Sequence, residues 1–147
     1  MTVAGDLVRA FGDVERMAKL YAPNICWSLS ASLISYPRPM QGREAVIAFN
    51  THVWGEVYHP DCWVEILDET GDAATSAARF IYSATLIASG QTYQNEYTLF
   101  ARSGPDGITH VFEGLDTAAL LDFINARDLG ASFEQMGSAR HPSRGTL

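Results

Sequence analysis

The sequence predicts an α+β fold in which helices cover one face of a curved antiparallel sheet. Three observations carry this expectation. Apolar residues recur at helical spacing through the opening third of the chain. Residues 62–115 switch to a β-branched and aromatic pattern broken by turns, and Asp116 then offers a cap for one more helix.

The opening helix follows from Leu7, Val8, Phe11, Val14, Met17, Ala18 and Tyr21, which fall three or four residues apart with Arg9, Asp13, Arg16 and Lys19 facing away. Gly12 divides it into two pieces, and Pro23-Asn24 ends it. Ile25 to Ser30 then alternates as a half-buried strand, and a Pro-containing connection follows. Gly42-Arg43-Glu44 leads into a second helix whose stripe is Ala45, Val46, Phe49 and Val53, flanked by His52 and Trp54. Four long strands come next, Cys62 to Glu69, Ala74 to Ala88, Thr92 to Arg102 and Ile108 to Leu115. Gly71-Asp72, Ser89-Gly90 and residues 103–107 form the turns between them. The last helix runs from Thr117 to about Arg127 and stops near Gly130. With no repeat and no linker, residues 1–137 form a single domain, and the polar, aperiodic residues 138–147 form a mobile tail.

Composition narrows the function. The chain is 47% hydrophobic and 18% charged, enough apolar material for one sizeable core. Its 17 acids against 10 bases give a net charge of −7, which repels a phosphate backbone and speaks against nucleic-acid and anionic-membrane binding. No signal-peptide pattern opens the chain and no 18-residue uncharged apolar run occurs, so the expectation is a soluble, cytoplasmic protein. Cys26 and Cys62 read as two reduced, buried thiols. Nucleotide-loop, zinc-protease and serine-hydrolase motifs are missing. The group His59, Asp61 and Cys62 has no second cluster at zinc spacing, so no metal is expected.

Several local patterns add up to a family. Gly12-Asp13-Val14-Glu15, Leu20-Tyr21-Ala22-Pro23-Asn24 and Gly42-Arg43-Glu44-Ala45-Val46, followed near the end by Asp106-Gly107-Ile108, Phe112-Glu113 and Asp116, resemble the nuclear transport factor 2-like superfamily. The likeness is to its SnoaL-like branch, over roughly residues 3 to 127. The resemblance implies a cone-shaped α+β barrel, a strongly bent antiparallel sheet packed on the N-terminal helices. An apolar pocket opens at one end, and the outer sheet face forms a homodimer. Only eleven residues precede Gly12, fewer than in the family, which leaves one wall short or supplied by a partner chain. The scaffold hosts isomerases, dehydratases, epoxide hydrolases, cyclases and binders, so the site has to decide the function.

Strand alternation puts Thr109, Val111, Glu113 and Leu115 on one face of the last strand and Ile108, His110 and Phe112 on the other. The resemblance places Glu113 where limonene epoxide hydrolase-like members carry an acid and phenazine-biosynthesis members a glutamate, both pocket positions. A carboxyl walled by Val, Leu and Trp loses hydration, so its pKa rises toward neutrality and suits it to proton transfer. Arg79, alone in a nearly uncharged strand, needs an acidic partner or serves as a substrate clamp. Trp27 and Leu29 replace the tyrosine and asparagine of the epoxide hydrolase site, and Ile81 stands at its second acid, which disfavours that chemistry. Compared with ketosteroid isomerase, Leu29 takes the place of the base and only Glu96 approximates the protonated acid. Glu96 could share a proton with Glu113 or project outward. Of the histidines, His52 is preferred over His110 as a proton shuttle.

The site expected from the sequence therefore has Glu113, Arg79 and His52 as catalytic residues. Trp27, Leu29, Phe49, Glu96, Val111 and Tyr97 contact the substrate, and no cofactor is used. The expected function is acid–base catalysis (isomerisation, dehydration or cyclisation) on a small apolar oxygenated metabolite such as a polyketide or terpenoid. The alternatives are a non-catalytic ligand-binding or accessory protein and an epoxide hydrolase-like enzyme, and a module using its outer sheet face for another protein also stays open.

Overall fold

A computed structural model describes residues 1–30 and 39–126. The predicted tail and the C-terminal end of the last helix lie outside the described residues. Six strands form one sheet in the order β2-β1-β6-β5-β4-β3, with the helices packed against it. This is the α+β architecture expected from the sequence, with the helices on one face of the sheet.

The opening helical stripe is two helices, α1 (Val3–Arg9) and α2 (Val14–Ala18), separated at Gly12. Gly12 has φ +90°, and a Cβ there would collide with the Pro60 carbonyl, so only glycine permits the turn. Thr2 caps α1, accepting from Gly5 N at 3.1 Å, and Asp13 caps α2, accepting from Arg16 N at 3.0 Å. The expected short wall is closed from this end: Ala4, Leu7 and Val8 are fully buried on the sheet, and Phe11 packs against Trp54 and Phe80. Glu69 fastens α1 to the sheet, accepting from Thr2 N at 2.6 Å, from Thr2 Oγ1 at 2.7 Å and from Arg9 Nη2 at 2.5 Å. Arg9 first, then the Thr2 donors, hold the Glu69 carboxyl down at about 2.

β1 (Tyr21–Leu29) begins four residues earlier than the sequence suggests, because Tyr21 and Ala22 already lie in the sheet. β1 runs parallel to β6, so the sheet is mixed rather than wholly antiparallel. A parallel neighbour far along the chain leaves no local trace in sequence. Between the pairs Tyr21↔Ile108 and Cys26↔His110 the register shifts, and the exposed Pro23 and Asn24 fall in that irregular stretch. The short β2 (Met40–Gln41) pairs with β1, then α3 (Arg43–His52) continues into a π-helical turn, Val53–Val57. Within that turn Trp54 departs from helical geometry, at φ −99° and ψ 20°.

β3 (Trp63–Gly71), β4 (Thr75–Thr85), β5 (Thr92–Gly104) and β6 (Gly107–Leu115) form the antiparallel meander. β4 and β5 alternate strictly. Ala78, Phe80 and Tyr82, with Tyr93, Tyr97 and Leu99, are buried on the helix side, while Arg79, Glu96 and Phe100 face out. β6 does not keep one parity. A register shift between Arg102 and Ser103 pairs Arg102 with His110 and Ser103 with Ile108, leaving Thr109 as an extra residue. Ile108 is therefore fully buried together with Val111, although simple alternation assigned it to the opposite face. Asp116 caps α4 (Thr117–Ala126), accepting from Ala119 N at 3.1 Å. Among the described residues no helix is long and apolar enough to cross a membrane.

Candidate active site

The bulge sets the register that delivers Glu113. Beyond Thr109 the side chains of Val111, Glu113 and Leu115 turn to the helix side, and Glu113 lies between Leu29 of β1 and Leu99 of β5. It opens onto a narrow hollow of about 40 Å³ that continues into an open mouth. From the sheet, Trp27, Leu29, Tyr82, Tyr97 and Leu115 line it. The opposite wall is Phe11, Phe49, Val53, Trp54 and Tyr58, and Leu120 of α4 contributes from the C-terminal side.

Trp27 is buried at 1% exposure, and its Nε1–H donates to Glu113 Oε2 at 3.0 Å. Loss of hydration raises the carboxyl, and the indole hydrogen bond opposes this more weakly, so Glu113 is pushed up to about 7. Both protonation states are then populated at neutral pH. The phenols around it behave differently. Burial raises Tyr82 and Tyr97 well above the ordinary tyrosine value and pushes Tyr93 up to about 12, so all three stay protonated. The Tyr93 and Tyr97 hydroxyls are 2.8 Å apart, and Asn95 Nδ2 donates to Tyr93 at 2.9 Å and to the Asp116 carbonyl at 2.9 Å. Trp54 Nε1 donates to the Tyr82 hydroxyl at 2.9 Å.

Of the residues expected at the site, Glu113, Trp27, Leu29, Phe49 and Tyr97 line the hollow. Val111 shares their face but is packed into the core, 2% exposed, and does not reach the hollow. Arg79 and Glu96 are corrections. Both project from the outer face, where Arg79 Nη2 lies 2.7 Å from Asp68 and Nη1 lies 2.8 Å from Glu96. The guanidinium found its acids across neighbouring strands in solvent, so it is neither a buried clamp nor a neighbour of Glu113. His52 is also displaced from the expected role. It sits at the end of α3 with Nδ1 3.2 Å from Glu56 Oε2, outside the residues lining the hollow. His110 is exposed beside Thr109.

Phe11, Val53, Tyr58 and Leu120 were not anticipated as lining residues. Phe11 closes the opening helical stripe, so its burial was visible but its target was not. Tyr58 is placed by the π-helical turn, which has no local sequence signature. Among the described residues no group of three or more His, Cys, Asp or Glu side chains could hold a metal ion.

The sequence matches the SnoaL-like domain family over residues 7–110. The chain belongs to this family. The match ends before Glu113, so it supports the scaffold and leaves the carboxyl to be argued from geometry. Among solved structures, an NTF2-like protein of unknown function from Burkholderia pseudomallei K96243 superimposes with a TM-score of 0.69 at 17% identity, covering 83% of this chain and 94% of that one. PrhC from Penicillium brasilianum NBRC 6234 gives 0.68 at 18% identity, covering 90% and 97%. A candidate SnoaL-like polyketide cyclase from Jannaschia sp. CCS1 gives 0.66 at 14% identity, covering 85% and 92%. At these identities the likeness is one of fold. No curated protein matches the chain.

The raised carboxyl has a thermodynamic consequence. The Glu113 proton is held in the folded state to about pH 7 but leaves the unfolded chain near pH 4.3. Its contribution to stability is therefore complete at low pH and is lost as the pH rises through 7. Glu113→Gln is expected to match the parent at pH 4 and to exceed it by roughly 3–4 kcal/mol at pH 8. Urea denaturation at both pH values measures this, and a variant less stable than the parent at pH 8 would contradict the burial assigned to the carboxyl.

Proposed function

We propose that the chain is a cofactor-independent acid–base enzyme of the isomerase, dehydratase or cyclase kind, acting on a small, largely apolar, oxygenated compound. The observation that carries this reading is the Glu113 carboxyl, raised to about 7 at an apolar, aromatic-lined hollow that opens to the surface. Such a group can remove a proton from a substrate carbon and return it elsewhere without changing its own position, and positioned acid–base catalysis is worth about 10²–10⁴-fold. A single carboxyl suits isomerisation best, because the same oxygen pair can take the proton and give it back. Tyr97 supplies a protonated hydroxyl at the hollow, and its shared hydrogen with Tyr93 can reverse so that Tyr97 donates to a substrate oxygen. Trp27 acts as a positioning residue, fixing one carboxylate oxygen so that the other faces the hollow.

Polyketides and terpenoids have the apolar, oxygenated character that suits these walls. With Arg79 on the outer face and Ile81 at the position of the second acid, the acid pair and arginine needed for water-activating epoxide hydrolysis are not assembled, which leaves proton transfer as the favoured chemistry. Once a turned-over substrate is in hand, Glu113→Gln should lower kcat about 10²-fold or more with the fold intact. Unchanged turnover would remove Glu113 from the mechanism. Ligand binding without product in both forms would favour a non-catalytic pocket protein.

The outer sheet face supports a homodimer as part of the same proposal. Phe100 and Phe112 are paired across β5 and β6, are 36% and 49% exposed, and border a shallow depression with Cys26, Ser28 and His110. Arg102 lies 6.0 Å from the Phe100 ring, keeping charge at the edge of the apolar patch. Light scattering should give twice the chain mass for the parent and the single-chain mass for Phe112→Glu. A parent that is monomeric at 100 µM, on the order of a weak dimer's Kd, would overturn the pairing.

A further inference from the structure

The walls around Glu113 are unusual in their electrostatics. Among the described residues twelve line the hollow: seven are aromatic, one is acidic, and none is Lys, Arg or His. Among the described residues an ionised carboxylate here has no counter-charge at the hollow and receives one side-chain hydrogen bond, from Trp27. The nearby cations do not help: Arg79 is bound by two acids on the outer face, Arg9 is held by Glu69, and the His52 ring is beside Glu56. Aromatic rings attract positive charge through their quadrupole, most strongly where water is excluded. The net charge of −7 adds a long-range field of the same sign.

We propose that the hollow is built for an organic cation: an apolar body bearing an ammonium group, placed against the Glu113 carboxylate and surrounded by aromatic rings. This deepens the reading of the site as an acid–base centre, on which it rests, by adding a basic nitrogen to the substrate. A bound cation keeps Glu113 ionised, so the carboxylate enters the reaction as a base rather than as an acid. The described titratable groups around Glu113 are Tyr21 on β1, Tyr82 on β4, Tyr93 and Tyr97 on β5 and Tyr58 after the π-helical turn, with His52 at the end of α3 outside the hollow. Burial keeps Tyr21, Tyr82, Tyr93 and Tyr97 neutral across the working pH range, so the carboxyl is the group that makes cation binding depend on pH.

The test compares choline with 3,3-dimethylbutan-1-ol, which has the same shape without the charge. The full chain is titrated with each at pH 8.5 and pH 5.5, with the Trp27 indole N–H resonance reporting occupancy beside Glu113. Choline should bind about tenfold more tightly than the alcohol at pH 8.5, and the preference should shrink to about twofold or less at pH 5.5. In Glu113→Gln the preference at pH 8.5 should fall to the low-pH ratio with the fold retained. An alcohol that binds as tightly as choline at pH 8.5, or choline that leaves the Trp27 resonance unmoved, would overturn the proposal. These are binding ratios, so they stand or fall independently of whether Glu113→Gln loses turnover.

Discussion

In place of the water it loses, the Glu113 carboxyl receives the Trp27 indole N–H. That exchange is incomplete, because burial costs the carboxylate more than one neutral donor returns. The shortfall appears as a carboxyl that holds its proton to about pH 7. Every functional statement here depends on that imbalance. A second strong donor or an arginine within reach would pull the group back to an ordinary carboxylate and leave it useless as a proton carrier at neutral pH.

The fold supplies the imbalance through register. The extra residue at Thr109 lets β6 bury Ile108 and still turn Glu113, five residues later, toward the helices. Trp27 reaches the same spot because β1 lies parallel to β6, with Trp27 opposite Val111 and Leu29 opposite Glu113. The aromatic wall across from them comes from α3, the π-helical turn and Phe11. Removing one of these elements would admit water, and the proton affinity of the carboxyl would fall with it. The outer face of the same sheet is electrostatically ordinary, with Arg79, Asp68 and Glu96 paired in solvent where such pairs add little to stability.

Local pattern made most of this architecture legible. The split at Gly12, the four meander strands and the Asp116 cap all rest on short-range chemistry, and the parity of Val111, Glu113 and Leu115 was readable from alternation. Arg79 and Glu96 show where the reasoning went astray. Each is flanked by residues that turn inward, Ala78 and Phe80 in one case and Asn95 and Tyr97 in the other, so alternation already pointed both outward. The acidic partner expected for Arg79 and the outward alternative for Glu96 are the outcomes the structure holds, and the catalytic and substrate-contact roles are not. The parallel pairing of β1 with β6, the bulge at Thr109 and the π-helical turn were not legible, because each is fixed by contacts between segments distant in sequence or by strain relieved only in the packed state.

The most direct measurement of the central claim is a 13C NMR titration of the side-chain carboxyl carbons, with the Glu113 resonance assigned by its loss in Glu113→Gln. A midpoint near 7 for that carbon, well apart from the exposed glutamates, is the outcome the geometry requires. A midpoint near 4.3, the value of a hydrated glutamate, would mean that water reaches the carboxyl and that the hollow does not work as described.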